Sequence, residues 1–258
     1  MSYLSNYEKT FYHKNGYVGP IDIFTVEEAL SLRSEYENLE KNYPKKMSGK
    51  NRNNAHYVTK LFDKIVHNPK ILDVVESIIG PNILVGGSTL FVKDPEKKGF
   101  ISWHQDARYI GLEPYNWVTA WLALSNVTPD NGCMYMWPGS HLDGQRDHID
   151  TFDKDNLLTR GQTVTSIKED ETVPITLQPG QLSLHHPWVV HGSGHNTSKE
   201  RRIGFAIQSY IGADVDSVLG KIFVQQARGR DTHHYHEHKC RPTFDMHPRD
   251  LAIRDQAN

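Results

Sequence analysis

After Pro81 the chain breaks into short apolar runs that are separated by turn residues at close intervals. These runs are rich in aromatic and β-branched residues and read NILVGGSTLFVKD, NWVTAWLALSNV, TPDNGCMYMWPGSH, ETVPITLQPGQLSLHHPWVVHGSG and RRIGFAIQSYIG. Asn131-Gly132 is typical of a hairpin, and Pro179-Gly180 is typical of a turn that joins two strands. Many short strands with frequent turns predict a sandwich or a barrel. We therefore expect a β-core over residues 82–212.

The residues before this core predict helices. Thr25 and Glu28 have the spacing of a capping box, and apolar residues then recur at helical spacing. Asn68 suits the cap of a second helix, which Gly80 would end. We expect a mainly helical part over residues 1–81 and a C-terminal segment over residues 213–258. The whole chain, residues 1–258, would then be one mainly β domain with flanking α-helices.

The composition is that of an ordinary soluble globular protein. Hydrophobic residues make up 37% of the 258 residues, charged residues 23%, and the net charge is -2. This balance argues against nucleic acid and a membrane surface as partners. The two cysteines are too few for a disulfide framework, and neither a signal peptide nor a membrane span is recognisable. We expect a cytoplasmic protein, and its oligomeric state is not readable from the sequence.

A long polar segment interrupts the predicted strands. Residues 141–172 are weakly patterned, and a loop of this length inside a compact domain is usually functional. We expect a lid. Arg146, His148 and Arg160 in this segment could pair with an acidic substrate, although exposure to solvent is the commoner fate of such side chains.

His104 and Asp106, two residues apart, are candidates for a metal site. On a strand both side chains would point to the same side, because side chains repeat every two residues. The pair alone is weak support, since H-x-D is a short motif. His191 follows an apolar run and precedes a glycine-rich turn, where a neighbouring strand could supply a third ligand. Two imidazoles and one carboxylate on one face of an ion are typical of non-heme iron(II) oxygenases.

Arg202 is a candidate anchor for a carboxylate. It follows His191 by eleven residues and begins the next apolar run. Its planar guanidinium binds a carboxylate at two points, as an iron-chelating 2-oxoacid with a second carboxylate would require. Ser193 could add a hydroxyl. The alternative for Arg202 is a surface ion pair, for which the adjacent Arg201 is the natural candidate.

These segments together resemble a known family. WHQDARY (103–109), AWLALSNVTPDNGCMYMWPGSH (120–141) and HPWVVHGSGHNTSKERRIGFAIQSY (186–210) are similar to the phytanoyl-CoA dioxygenase family of Fe(II)- and 2-oxoglutarate-dependent oxygenases. The resemblance implies a double-stranded β-helix, which is the jelly-roll core of cupin-like proteins. It implies that His104, Asp106 and His191 bind the metal. It also implies that Arg202, Ser193 and Trp121 bind the co-substrate. The Trp121 match differs in spacing by one residue.

The resemblance also implies a reaction. Fe(II), 2-oxoglutarate and O2 would serve to hydroxylate or otherwise oxidise an unactivated C–H bond of a small molecule, with release of succinate and CO2. A substrate from secondary metabolism would fit. Related halogenases have a small residue in place of the carboxylate, so Asp106 favours hydroxylation over halogenation.

Two other functions stay open at this point. One is a cupin-type metalloenzyme that does not use 2-oxoglutarate, which Arg202 and Ser193 argue against. The other is a non-catalytic jelly-roll protein that binds a metal or a ligand, because a fold does not determine a function.

A histidine-rich segment, DTHHYHEHKC (231–240), could hold zinc or a second iron. It completes no zinc-type spacing. We expect a polar C-terminal segment that folds near the mouth of the active site.

Overall fold

The computed structural model describes residues 3–158 and 161–258 as strands in two main sheets with helices on one side. The helices of this part of the chain are α1 Asn6–Asn15, α2 Val26–Asn42, α3 Lys60–Val66, α4 Pro69–Ile79, α5 Ala107–Ile110 and α6 Pro248–Ala257. The strands are β1 Tyr17–Asp22, β2 Ile83–Val85, β3 Thr89–Lys93, β4 Ile101–His104, β5 Leu112–Glu113, β6 Trp117–Ala123, β7 Met134–Met136, β8 His148–Asp150, β9 Gln162–Val164, β10 Val173–Ile175, β11 Gln181–His185, β12 His191–Ser193, β13 Arg202–Gly212, β14 Asp216–Ser217, β15 Phe223–Arg228 and β16 Glu237–His238.

The strands form a jelly-roll, and the predicted fold class is confirmed. The larger sheet has the order β1-β11-β6-β13-β2-β15-β16, with β3 also paired to β13. The smaller sheet has the order β10-β7-β12-β4. Strands β11, β12 and β13 alternate between the two sheets, as in a double-stranded β-helix. Two short pairs, β14-β5 and β8-β9, lie outside these sheets.

The larger sheet separates the helices from the smaller sheet, and its alternating sequence explains why. Alternate residues of β6 and β13 pack into the same hydrophobic cluster as α3 and α4, namely Val118, Ala120, Leu122, Ile203, Phe205 and Ile207. The residues between them, including Trp121 and Ala206, pack against Met134 and Met136 of the smaller sheet. Since side chains of a strand point alternately to opposite faces, each strand serves both layers. The inner face of the larger sheet is therefore available for a site.

Both predicted helices form as their caps suggest. Thr25 and Glu28 make a reciprocal capping box at the beginning of α2. The side chain of Asn68 caps α4, Pro69 is its first residue, and Gly80 follows its end.

The β-core begins earlier and ends later than the expected residues 82–212. Strand β1 completes one edge of the larger sheet, and β15 extends it on the other side. One of the two predicted strand connections also differs from expectation. Gly132 ends a short 3-10 helix, Pro129–Asn131, between β6 and β7, which lie in different sheets. Pro179-Gly180 forms the expected turn between two strands, β10 of the smaller sheet and β11 of the larger one.

Within the described ranges, the helices are all too short or too polar to cross a membrane.

Candidate active site

The H-x-D motif lies at the end of a strand and not within it. His104 is the last residue of β4, whereas Asp106 has helical dihedral angles (φ -57°, ψ -39°) and precedes α5. The Tyr109 amide donates to the Asp106 carbonyl at 3.0 Å, which closes the turn. The expectation that one strand carries both side chains was therefore wrong. The turn still brings the Asp106 carboxylate beside the His104 ring.

His191 completes a buried group of three possible metal ligands. It begins β12 and is the register partner of His104 on β4. Asp106 Oδ1 lies 3.5 Å from His104 Nε2 and 3.8 Å from His191 Nε2. Each of the three residues is 5% exposed. Among the described residues, this is the group of His, Cys, Asp and Glu side chains close enough to hold a metal ion.

The imidazoles of His104 and His191 both direct an Nε2 lone pair towards the possible metal site beside Asp106 Oδ1. His104 Nδ1 lies 2.8 Å from the Ser102 carbonyl oxygen, and His191 Nδ1 lies 3.1 Å from that of Val189. Because a carbonyl only accepts, each Nδ1 carries the hydrogen and each Nε2 is left bare. Burial and the neighbouring His104 hold the pKa of His191 well below its usual value. The donor set of two neutral imidazoles and one carboxylate fits a divalent ion such as Fe(II).

The other oxygen of Asp106 is held by residues of the larger sheet. Thr119 Oγ1 donates to Asp106 Oδ2 at 2.7 Å, and His185 Nε2 lies 3.1 Å from the same oxygen. Burial by itself raises the pKa of Asp106, but the nearby imidazoles of His191 and His104 and the hydrogen bond from His185 outweigh it, so the pKa lies well below its usual value. The carboxylate is therefore ionised, as a metal ligand must be.

Arg202 is a buried cation that lines the same cavity. It is 1% exposed, and its Nε and Nη2 atoms have no hydrogen-bond partner in the described part of the chain. Its guanidinium carbon lies 5.3 Å from the centre of the Trp121 ring. Burial lowers its pKa to about 10, so it remains charged at neutral pH. A buried charge without a partner is costly, and an anionic ligand such as a carboxylate would remove that cost.

Lys93 is a second buried basic residue beside Arg202, and it was not among the residues predicted from the sequence. The two residues are register partners on β3 and β13. Lys93 Nζ donates to Ser193 Oγ at 2.7 Å and also to the carbonyl of Gly194. Burial, with a smaller effect from the Arg202 charge, lowers the pKa of Lys93 to about 6. Ser193 is thus part of a hydrogen-bonded cationic pocket.

The three possible ligands and Arg202 line one cavity of about 250 Å³. Its remaining wall is mostly apolar, including Phe91, Ile110 and Met134, and Leu157 and Leu158 come from the predicted lid segment. Asn53, Thr89 and Gln208 form a polar strip, in which Thr89 Oγ1 lies 2.7 Å from Gln208 Oε1 and 3.2 Å from Asn53 Oδ1. The cavity thus combines a charged end with a neutral wall. The lid role of residues 141–172 stays a prediction.

Gln105 joins the turn that follows β4 to the segment that follows Ser140. Its Nε2 donates to the carbonyls of Gly144 and Trp188, and its Oε1 accepts from the Arg146 amide.

Three residues of the lid segment were considered as partners of an acidic substrate, and two of them contact other protein groups. Arg146 stacks on Trp137 and pairs with Asp143, and His148 Nε2 accepts from the Gln105 amide. Arg160 lies outside the described residues.

The histidine-rich segment folds elsewhere. His238 pairs with Asp231 at 2.7 Å, and His236 Nε2 lies 2.9 Å from the Val215 carbonyl oxygen. Its side chains do not line the cavity described above, and its expected position near the mouth stays a prediction.

The residues that sequence reasoning missed have a weak signal in common. Lys93, Thr119 and His185 are polar positions in otherwise apolar strands. Such interruptions indicate an inward-facing polar group, but they do not say which other strand it meets.

Comparison with known proteins places this geometry in a family. The model of the phytanoyl-CoA dioxygenase (PhyH) family matches residues 12–204. A probable alpha-ketoglutarate-dependent hypophosphite dioxygenase from Stutzerimonas stutzeri is 30% identical over 169 residues, which cover 65% of this chain and 58% of that protein. Human peroxisomal phytanoyl-CoA dioxygenase is 28% identical over 136 residues, 51% of this chain and 40% of that protein. The chain thus spans about half the length of the curated relatives it matches.

Solved structures agree with the fold. The apo structure of the non-heme monooxygenase ThoJ has a TM-score of 0.85 at 31% identity, covering 96% of this chain and 94% of that one. CytC3, at 22% identity and a TM-score of 0.71 over 92% and 93% of the two chains, shares the fold. From the family match over most of its length, we conclude that the chain belongs to the phytanoyl-CoA dioxygenase family.

Proposed function

We propose that this protein is an Fe(II)- and 2-oxoglutarate-dependent oxygenase that hydroxylates an unactivated C–H bond of a small molecule. One observation carries the proposal: the buried triad His104, Asp106 and His191 shares a cavity with the unpartnered guanidinium of Arg202. A metal site alone would suit many enzymes. The nearby buried cation adds the requirement for an anion, which a metal-chelating dicarboxylate meets at its far end.

Each residue would have a defined part in this reaction. His104 and His191 would each bind the ion through Nε2, and Asp106 through Oδ1. Arg202 would bind the far carboxylate of 2-oxoglutarate at two points, with the Ser193 hydroxyl and Lys93 beside it. The Trp121 ring would pack along the co-substrate. When bound, the ion and 2-oxoglutarate together supply the activation of O2, with succinate and CO2 as co-products.

The cavity wall indicates the kind of substrate. Apart from the triad, His185 and Arg202, the residues that line the cavity are aliphatic, aromatic or neutral polar groups. These walls would exclude water and hold an uncharged, largely apolar molecule with its C–H bond near the ion. Relatives support the general reaction by name, since one is an alpha-ketoglutarate-dependent dioxygenase and another a non-heme monooxygenase. Hydroxylation is favoured over halogenation because Asp106 occupies the carboxylate position.

Succinate formation from 2-oxoglutarate tests the proposal. The purified chain with Fe(II) is screened against a library of neutral small molecules under air and under anaerobic conditions. We expect oxygen-dependent succinate with hydroxylated product from the wild type, and none from His104→Ala or Asp106→Ala. Full activity in either variant would show that the metal ligands are wrongly assigned.

A matched pair of arginine variants tests the co-substrate. Arg201 forms surface ion pairs with Glu40 at 2.8 Å and Asp94 at 2.9 Å, whereas Arg202 has no such partner. Losing one member of a buried charge pair costs about 2–5 kcal/mol, so Arg202→Gln should raise the Kd for 2-oxoglutarate roughly 30-fold or more. Arg201→Gln should leave it unchanged. A metal-binding protein with no affinity for 2-oxoglutarate would instead be a cupin-type metalloenzyme of another kind.

A further inference from the structure

We propose that His185 is a positioning residue that, with Thr119, restricts Asp106 to one-oxygen metal coordination. The proposal rests on the metal centre proposed above and adds a residue that is not among its ligands. It also separates the roles of three histidines that lie around one carboxylate.

The register of the larger sheet places the two residues side by side. His185, the last residue of β11, is the partner of Thr119 on β6. Both are buried, at 1% and 2% exposure. Partner residues in an antiparallel pair project from the same face, and this face is directed towards Asp106. Two donors from neighbouring strands therefore reach one carboxylate oxygen.

Both donors act on Oδ2 and leave Oδ1 for the ion. Thr119 Oγ1 lies 2.7 Å and His185 Nε2 lies 3.1 Å from Oδ2. The Nε2 atoms of His104 and His191 instead lie 3.5 Å and 3.8 Å from Oδ1. An oxygen that accepts two such hydrogen bonds is a poor second ligand. Coordination through Oδ1 alone leaves more of the ion accessible to a co-substrate and dioxygen.

The hydrogen positions distinguish His185 from the ligands. A carboxylate oxygen only accepts, so His185 Nε2 carries the hydrogen. His185 Nδ1 is buried and has no hydrogen-bond partner among the described residues, which suits a bare nitrogen. His104 and His191 have the opposite arrangement, with the hydrogen on Nδ1 and a bare Nε2. Two imidazoles thus offer a lone pair to the ion, and the third offers a hydrogen bond to its carboxylate ligand.

Cobalt titration of the full-length protein tests the role without any turnover. Co(II) is added to the metal-free wild type, His185→Leu, His185→Gln and His186→Leu, and binding is followed by visible d–d absorption. Loss of such a supporting hydrogen bond typically weakens metal binding about 10–100-fold, which we expect for His185→Leu. The glutamine N–H can take the place of Nε2–H, so His185→Gln should recover most of the affinity. His186→Leu is the matched control, because His186 accepts from the Trp188 amide and does not touch Asp106.

A second measurement uses the wild type and does not depend on variants that fold. In the proton NMR spectrum of the Co(II) protein, each ligated imidazole with an Nδ1–H gives one strongly shifted exchangeable signal. We expect two such signals. A third would show that His185 is a ligand and would overturn the proposal.

The outcomes separate this inference from the function. Wild-type affinity in His185→Leu, or equal loss in His185→Leu and His185→Gln at unchanged melting temperatures, would refute the positioning role while leaving the metal centre intact. Failure of the wild type to bind Co(II) would refute the metal centre itself and this inference with it.

Discussion

Two buried basic residues, Lys93 and Arg202, are poorly explained by folding alone. They are adjacent across β3 and β13, and both are almost fully buried. Burial disfavours the charged form of each side chain and lowers the pKa of Lys93 to about 6, so Arg202 carries the positive charge at neutral pH. An arrangement that is unfavourable in the free protein and favourable with an anion is typical of a binding site. At the scale of residues, then, the cost of burial indicates the charge of the ligand.

The pH dependence of stability in the metal-free protein should report on Lys93. Burial lowers its pKa to about 6 in the folded protein, whereas an unfolded lysine has a pKa of about 10.4. Between these values the unfolded chain binds more protons, so the Lys93 contribution makes the free energy of unfolding rise with pH. The slope from one such group is at most about 1.4 kcal/mol per pH unit.

Lys93→Met should lack this contribution. Denaturant unfolding at several pH values between neutral and mildly alkaline conditions measures it, and the stability advantage of Lys93→Met over the wild type should shrink as the pH rises. Lys60→Met changes an exposed lysine and is the control, with a pH profile parallel to that of the wild type. A parallel profile for Lys93→Met as well would contradict the prediction.

At the scale of elements, the absence of a side chain at Gly204 of β13 shapes the proposed co-substrate pocket. Gly204 lies between Arg202 and Ala206 on the inner face of this strand. A Cβ atom at Gly204 would lie 1.8 Å from Trp121 Cζ2, so only glycine lets the indole ring rest on the strand beside the guanidinium. The position of Trp121 is thus set by a missing side chain on the neighbouring strand.

Gly204→Ala should displace the Trp121 ring and weaken binding of 2-oxoglutarate. Overpacking of this kind typically costs about 1–3 kcal/mol of stability. Tryptophan fluorescence, denaturant unfolding and co-substrate titration measure the three effects. Gly194→Ala is the matched control, because a Cβ there meets no atom within 4 Å in the described structure. Equal behaviour of the two variants would show that the close contact is unimportant.

At the scale of the whole molecule, the N-terminal segment is part of the β-core. Strand β1 pairs with β11 through Val18 opposite Leu184 and Ile21 opposite Leu182. Strand β11 in turn ends at His185. Strand β1, which lies between α1 and α2, therefore covers a sheet edge that would otherwise be exposed, and it supports a strand of the proposed site.

Ile21 and Asp22, which are adjacent on β1, test whether this strand stabilises the core. Ile21 is 5% exposed and packs in the main hydrophobic cluster, so Ile21→Ala should lower the free energy of unfolding by about 2–5 kcal/mol. Asp22 points outwards and makes one exposed side-chain contact, with Gln181, so Asp22→Ala should change it by about 0.5 kcal/mol. Denaturant unfolding of both variants measures the difference. Equal, small effects would show that β1 is not needed for the stability of the core.

The sequence by itself determined the local features and the candidate ligands. Capping residues predicted α2 and α4, since a cap acts within one turn of helix. Apolar runs predicted most strands, and the motif spacing selected His104, Asp106, His191 and Arg202 as candidates. Each of these inferences depends on residues that are close in the chain or on a pattern shared with a family.

Only the tertiary structure decided which strands meet and what each polar group faces. Backbone groups are the same on every strand, so pairing and register follow from how the whole core packs and not from any one segment. For that reason Lys93 beside Arg202, and Thr119 with His185 on Asp106, could not be predicted. The tertiary structure also showed that Asp106 leaves its strand. The carboxylate reaches the ligand position through a turn, which no alternating pattern describes.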